Sequence, residues 1–207
     1  MRDLLDDPED LAILEGVMRL ATAFRCQVIA EGAVTLAQGV MLLQLGCELA
    51  QGYAIARPMP AAAIPGWLAG WRSDPGWLGR SAVARDDLPL LYAGVAHRAW
   101  VGACVAFLNG AGPVPPLEPN ACQFGAWLAS AGLTAGRTPP GIADITALHQ
   151  AGHAVAAELL ALHDQGRNPE ALARLGELHA LRDRLLAGLA GLLTERPGAD
   201  QELVAGQ

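Results

Sequence analysis

The spacing of apolar residues changes once along this chain, between Arg72 and Leu88, and that change commits it to a composite fold. Up to Arg72, helical stripes alternate with short apolar runs. Leu11 to Phe24 carries a helical stripe, with Asp10 placed to cap it. Cys26 to Ala30 is β-branched in its middle and meets a loop at Glu31-Gly32, as a buried strand does. Thr35 to Leu45 follows as a helix stopped by Gly46, then a strand around Gly52 to Ala56, then a helix from Ala61 to Trp71. Helix, strand, helix, strand, helix is the grammar of parallel α/β folds, whose functional residues sit at strand C-terminal ends.

Residues 73–87 are expected to be a linker. Beyond them Leu88 to Leu108, Ala121 to Ala131, Asp144 to Asp164 and Pro169 to Leu193 are all helical by pattern. Gly- and Pro-rich turns at Asn109 to Pro116, Gly132 to Gly141 and Gln165 to Asn168 separate them. Four helices with short connections imply an antiparallel four-helix bundle over 88–194, with a polar, flexible tail at 195–207. The fold class is therefore mixed: a partial α/β portion over 1–72, then an all-α bundle.

Composition narrows the function classes. A formal net charge of −7 argues against a nucleic-acid partner, which needs a basic patch. All 14 basic residues are Arg; there is no Lys. Four widely spaced cysteines without a CxxC pair do not make a disulfide framework in a chain with 52% hydrophobic residues. The acidic N-terminus lacks the apolar stretch of a secretory signal, and no apolar run of membrane-spanning length avoids both charge and Pro. A soluble, reducing, cytoplasmic setting is expected.

The chemistry concentrates in the second half. His149 and His153 form an i, i+4 pair that presents two imidazoles from one helix face. Alone, the pair reads more simply as two surface or core histidines. Other helices add donors of the same kind. His97 lies in the apolar stripe of the first bundle helix with Trp100, Val101, Cys104 and Leu108. Cys122 follows Glu118-Pro119 and is expected in the first turn of the next helix, where the helix dipole favours its thiolate. One Cys and three His complete a tetrahedron, and a set with no open position is structural or sensory rather than catalytic. Trp100, Phe124 and Trp127 are expected to pack the core, Cys104 to be a buried apolar thiol, and His163 and His179 to be solvated. Gly152, between the paired histidines, costs helix propensity and leaves room for close packing.

These residues carry a resemblance. His97-Arg98-Ala99-Trp100, Cys122-Gln123-Phe124-Gly125-Ala126-Trp127, and His149 with His153 follow one another with 21 intervening residues at each step. In that order and spacing they resemble the bacterial chemoreceptor zinc-binding (CZB) domain over about Leu88 to Leu193. The resemblance implies a four-helix bundle holding Zn2+ through His97, Cys122, His149 and His153 and regulating an attached signalling domain. It also implies, as a lesser role, an oxidant-sensitive Cys122, since oxidation would remove the charged ligand.

The first half resembles the C-terminal third of the EAL domain, a barrel that hydrolyses cyclic di-GMP. The matching stretches are AILEGVMRLATAF, QVIAEG and LLQLGCELAQGYAIARPMP. By this resemblance Glu31 matches an active-site glutamate and Gln51 the glutamine of the QGY motif that helps bind the nucleotide. The family's second glutamate is replaced by Val34, and its catalytic Lys has no counterpart in a chain without Lys. Hydrolysis with Mg2+ or Mn2+, as in an intact EAL domain, needs several converging carboxylates, and two or three strands cannot close a barrel. The chain alone is therefore expected to be inactive. It is read as a fragment or late start of a longer EAL–CZB protein, or else as a decayed remnant that keeps the zinc module.

The expected function is a signalling protein whose zinc-binding, redox-responsive bundle regulates a truncated cyclic di-GMP phosphodiesterase domain. An active phosphodiesterase arises only within a longer chain, where cyclic di-GMP is a partner. A chemotaxis-related sensor would need a long heptad coiled coil, which is missing. A zinc hydrolase is disfavoured because Gln150 stands where an HExxH enzyme needs Glu. A plain interaction bundle without metal is the remaining class. Pairing into a homodimer is expected, because helical sensor bundles commonly dimerise and a half-barrel exposes apolar surface.

Overall fold

A computed structural model describes residues 4–134 and 141–194. The expected flexible tail and most of the turn after Gly132 lie outside the described residues. The chain divides into two compact units, one built mainly from Glu9–Ala84 and one from Asp6–Pro8 together with the chain from Arg85 onward. Among the described residues the molecule is mostly helical, with a single two-stranded sheet.

The first unit runs α1 (Pro8–Ala23), β1 (Ile29–Glu31), α2 (Leu36–Gln44), β2 (Leu49–Gln51) and α3 (Ile64–Gly70), the last preceded by a 3-10 turn at Ala61–Ala63. β1 and β2 are parallel, with Ile29 opposite Leu49 and Glu31 opposite Gln51. Parallel pairing requires a crossover, and α2 supplies it. Thr35 caps α2 through a reciprocal box with Gln38: the Thr35 hydroxyl accepts from the Gln38 amide, and the Gln38 side chain accepts from the Thr35 amide. A small core of Ala30, Ala33, Leu42 and Cys47 sits between the sheet and helices.

Several local expectations shift here. α1 begins at Pro8, so Asp10 lies inside its first turn rather than at the cap, where its charge still faces the positive end of the helix. The first strand starts three residues late. The second falls at Leu49–Gln51, not Gly52–Ala56, because the chain turns sharply at Gly52. Gly52 has φ 153°, and a Cβ there would lie 2.1 Å from the Ala33 carbonyl oxygen. Only glycine lets the two backbones approach so closely. Part of the expected linker folds back on α2: the Trp77 indole N–H donates to the Leu36 carbonyl at 3.0 Å, and the Val83 amide donates to the Gln44 carbonyl.

The second unit comprises α4 (Leu88–Leu108), α5 (Gln123–Thr134), α6 (Ile142–Asp164), α7 (Asn168–Ala173) and α8 (Leu175–Thr194), with 3-10 turns at Arg85–Asp87 and Pro119–Ala121. α6 packs along α8, and α4 packs on both α8 and α5. Their shared core contains Val101, Cys104, Leu108, Phe124, Ala156, Leu159, Leu178 and Leu185. The helix expected over Pro169–Leu193 is broken at Arg174, whose guanidinium binds Glu158 of α6 and Glu177 of α8, both at 2.8 Å. The stretch Arg85–Leu108 is long and apolar enough to cross a membrane by length and composition, but half of its most apolar part is buried inside the fold.

Candidate metal centre

α4, α5 and α6 bring three histidines and a cysteine into one buried cluster. His149 and His153 lie one helical turn apart on the inner face of α6, with ring centroids 4.6 Å apart. Cys122 is the residue that joins the Pro119–Ala121 turn to α5. His97 arrives from α4, and its ring centroid is 5.6 Å from that of His149. The three histidines are at most 2% exposed and Cys122 7%, so each ring nitrogen needs a partner within the protein.

Cys122 does not stand in the first turn of α5, as the sequence suggested. Pro119 opens a 3-10 turn that ends at Ala121, and Cys122 adopts an extended conformation as the cap of α5. Its carbonyl accepts the first helical bond, from the Ala126 amide, and its sulfur accepts from the Gly125 amide at 3.2 Å. The sulfur thus takes the role that a serine oxygen fills in an ordinary N-cap. Gly125 is what allows this turn: a Cβ on it would lie 1.8 Å from the Pro119 carbonyl oxygen.

The donor atoms converge. Cys122 Sγ lies 3.1 Å from His149 Nε2, and the ligand atoms of Cys122, His149 and His153 all fall within 4.8 Å of one another. Around a tetrahedral zinc with bonds of about 2.0–2.3 Å, such atoms sit about 3.3–3.8 Å apart, so closing the triad needs a contraction of at most about 1.5 Å. His153 is oriented for this. Its Nδ1 lies 2.7 Å from the Leu117 carbonyl oxygen, which can only accept, so Nδ1 carries the proton and Nε2 presents a lone pair. That Nε2 is buried with no hydrogen-bond partner, as is Nδ1 of His97. The geometry brings Cys122, His149 and His153 together as a triad; His97 is in the cluster but outside that radius.

The surroundings set the protonation states. Burial, followed by the proximity of His149, His153 and Arg182, pushes His97 down to about 3. Burial and then His153 push His149 down to about 4. Burial also lowers His153, against the Leu117 carbonyl and Glu118, which favour its charged form. All three are neutral at pH 7, the form that binds metal. The expected lowering of the Cys122 thiol is reversed: burial pushes it up, and the amides of Gly125 and Phe124 offset only part of that. A thiolate here needs a cation beside it. Neutral imidazoles with one thiolate suit a borderline ion such as Zn2+, and this donor set fits that ion.

Trp100 and Phe124 are buried in the core, as expected, with Trp127 packed against it, and they also wall this cluster. Trp100 stacks on His153 with centroids 4.0 Å apart, and Phe124 meets His149 edge-on at 4.8 Å. Trp127 in turn stacks on Phe124. Gly152 proves unnecessary for space, since a Cβ there would meet His97 Cε1 at an ordinary 3.9 Å. His163, expected to be solvated, is half-buried, bonded to Asn168 at 2.9 Å and packed edge-on against Phe107. Cys104 is fully buried, and desolvation pushes its thiol to about 12. What the sequence could not single out are backbone groups: the Pro116 and Leu117 carbonyls and the Gly125 amide.

In the α/β unit, Glu31 and Gln51 occupy opposed positions at the C-terminal ends of the two strands, and the Gln51 amide donates to the Glu31 carboxylate at 2.9 Å. Both are exposed. This pair stands where functional residues of parallel sheets are found.

Comparison with known proteins bears on this first unit. Residues 1–58 match the EAL domain family. The chain is similar to the oxygen sensor protein DosP of Escherichia coli, at 39% identity over 64 residues covering 31% of this chain and 8% of the relative. It is similar to the cyclic di-GMP phosphodiesterase RocR of Pseudomonas aeruginosa, at 43% identity over 53 residues covering 26% of this chain and 14% of the relative. A third, the bifunctional diguanylate cyclase/cyclic di-GMP phosphodiesterase MucR of the same organism, is 38% identical over 64 residues, 31% of this chain and 9% of the relative. The chain thus spans only 8–14% of the length of these relatives. No solved structure matches the chain. The N-terminal 58 residues are therefore similar to the EAL domains of cyclic di-GMP signalling proteins.

Proposed function

We propose that this chain is a signalling protein in which a helical module binds Zn2+ and regulates an EAL-type segment. Cys122, His149 and His153 would hold the ion, with His97 as the fourth ligand from α4. The observation that carries this reading is the buried, unpartnered Nε2 of His153 beside Cys122 Sγ and His149 Nε2. A buried lone pair left without a donor is costly, and a cation resolves it. When bound, the ion supplies the positive charge that lets Cys122 ionise and ties α4, α5 and α6 at one point. With three neutral imidazoles and one thiolate filling four positions, the site is a staple or sensor rather than a hydrolytic centre. This is the module of the CZB type that the second half resembles, a four-helix bundle in which α7 and α8 together form the fourth helix.

On this reading the cyclic di-GMP chemistry belongs to a longer protein. Glu31 and Gln51 are the parts of a nucleotide and Mg2+ or Mn2+ site that this chain supplies, and the chain alone does not hydrolyse cyclic di-GMP. The α/β unit exposes Ile13, Val17, Leu20, Phe24, Ile29 and Leu49, consistent with a missing partner surface or with self-association. A redox role for Cys122 follows from its being the sole charged ligand. Cobalt substitution tests the reading: Co2+ added to the purified chain should give intense tetrahedral ligand-field bands and a thiolate charge-transfer band. The latter should vanish in Cys122→Ser. Weak octahedral bands in the unaltered chain would refute it.

A further inference from the structure

His153 is held from two sides by the same short stretch of chain and the same tryptophan. Trp100 lies one turn beyond His97 on α4, 6% exposed, and its indole ring stacks on the His153 imidazole with centroids 4.0 Å apart and planes 25° apart. Its ring also stacks on His97 at 5.5 Å. The indole N–H donates to the Pro116 carbonyl at 2.8 Å. The next carbonyl along, that of Leu117, accepts the Nδ1–H of His153 at 2.7 Å.

A tryptophan that only filled space would need a partner for its N–H, but not this one. The stretch it fastens, Pro116-Leu117, lies between α4 and the 3-10 turn leading to Cys122, outside any helix that could fix those carbonyls by itself. Stacking sets the plane of the His153 ring. The Leu117 carbonyl sets its tautomer and its rotation within that plane. Trp100 makes the first contact directly and fastens the stretch that makes the second; with Nδ1 engaged by Leu117, Nε2 is the nitrogen left to meet Cys122 and His149.

We infer that Trp100 is a positioning residue for the metal centre, acting on His153 both by ring stacking and through the Pro116-Leu117 carbonyls; this rests on the metal reading above. Partners of this kind hold a ligating histidine in the metal-binding tautomer, and their loss typically costs 10–100-fold in affinity. Trp100→Phe keeps an aromatic face and removes the N–H, so it separates the two contributions. Trp100→Tyr keeps a face and a donor.

The test is a Zn2+ titration of the full 207-residue chain against a chromophoric chelator, with Co2+ spectra alongside. His153→Ala serves as the ligand control, and Leu108→Ala as a core truncation elsewhere on α4. Trp100→Phe should bind one Zn2+ about 10–100-fold more weakly and shift the Co2+ ligand-field bands. Trp100→Tyr should fall between it and the unaltered chain. Leu108→Ala should change affinity by less than about threefold, because it lies about two helical turns beyond Trp100 at the end of α4. If the unaltered chain binds no Zn2+, the metal reading fails and this inference with it. If the chain binds Zn2+ but Trp100→Phe matches it in affinity and spectrum, the positioning role fails while the metal reading stands. Equal losses in Trp100→Phe and Leu108→Ala would also overturn it, as would loss in Trp100→Tyr equal to that in Trp100→Phe. Should Trp100→Phe not fold, the Trp100→Tyr spectrum decides: unshifted bands and unchanged affinity would count against the role.

Discussion

Replacing Gly125 by Ala adds one methyl group where the backbone already lies. The new Cβ would stand 1.8 Å from the Pro119 carbonyl oxygen, 2.8 Å from its carbon and 3.2 Å from Asn120 Cα. In an ordinary helix this substitution stabilises by about 1 kcal/mol, through propensity and a more restricted unfolded chain. Here the Pro119–Ala121 turn must retreat by roughly 1.5 Å to restore normal contact. Backbone displacement of this kind costs about 1–3 kcal/mol, so a net loss of about 1 kcal/mol is expected. The larger effect falls on Cys122, whose sulfur takes a hydrogen bond from the Gly125 amide and whose position is set by that turn. Zn2+ affinity should drop by at least about tenfold, as for removal of a metal site's supporting contacts. Gly152→Ala is the matched control. Its Cβ would meet His97 Cε1 at 3.9 Å, so it should leave affinity intact and raise stability by up to about 1 kcal/mol. Chelator competition and urea unfolding read both quantities. Equal affinities for Gly125→Ala and the unaltered chain, or equal losses in both variants, would refute the reasoning.

The metal-free chain should lose stability on acidification. His97 and His149 are held at about 3 and about 4 when folded, against 6.5 unfolded. Between those values the unfolded chain binds protons that the folded chain refuses. Stability is therefore greatest above 6.5 and falls with pH below it, by up to about 1.4 kcal/mol per pH unit for each histidine. Urea midpoints between pH about 7.5 and about 5, taken with a chelator present, would show no slope if the histidines were solvated. Cys104→Ala should retain Zn2+ with an intact Co2+ charge-transfer band while losing core stability, since Cys104 is buried in the shared core and is not one of the three donors that converge; loss of the band would make Cys104 a ligand. The purified chain should not linearise cyclic di-GMP with Mg2+ or Mn2+, and turnover by chromatography would disprove the argument from missing carboxylates and Lys.

The parts of this site that were legible in the sequence are those fixed by local geometry. The i, i+4 spacing places His149 and His153 on one face of any helix, and Trp100, Cys104 and Leu108 mark the buried stripe on which His97 lies. Cys122 is legible as a residue near a helix start, but it caps the helix rather than standing in its first turn. Pro119 signals a helical beginning, and whether a 3-10 turn or an α-helix follows depends on Gly125 yielding space to the Pro119 carbonyl. The thiol's raised value was hidden for a similar reason, because burial is a property of the packed cluster rather than of the helix end. The roles of Trp100 and Leu117 were invisible: a hydrogen bond from an indole to a carbonyl 16 residues away leaves no periodic trace.

In the α/β unit the alternation of element types was legible and the strand limits were not. Apolar runs are ambiguous by two or three residues, and the turn at Gly52 is imposed by the Ala33 backbone across the sheet. The break at Arg174 escaped detection because the apolar period continues through it, while the ion pairs to Glu158 and Glu177 join residues on two different helices.

The central claim is most directly tested by counting metal in the purified 207-residue chain. Expressed with zinc available and freed of loosely bound ions by gel filtration, it should carry one zinc per chain, and Cys122→Ala should carry far less. A folded chain that emerges without zinc, or one whose zinc content is unchanged in Cys122→Ala, would contradict the account.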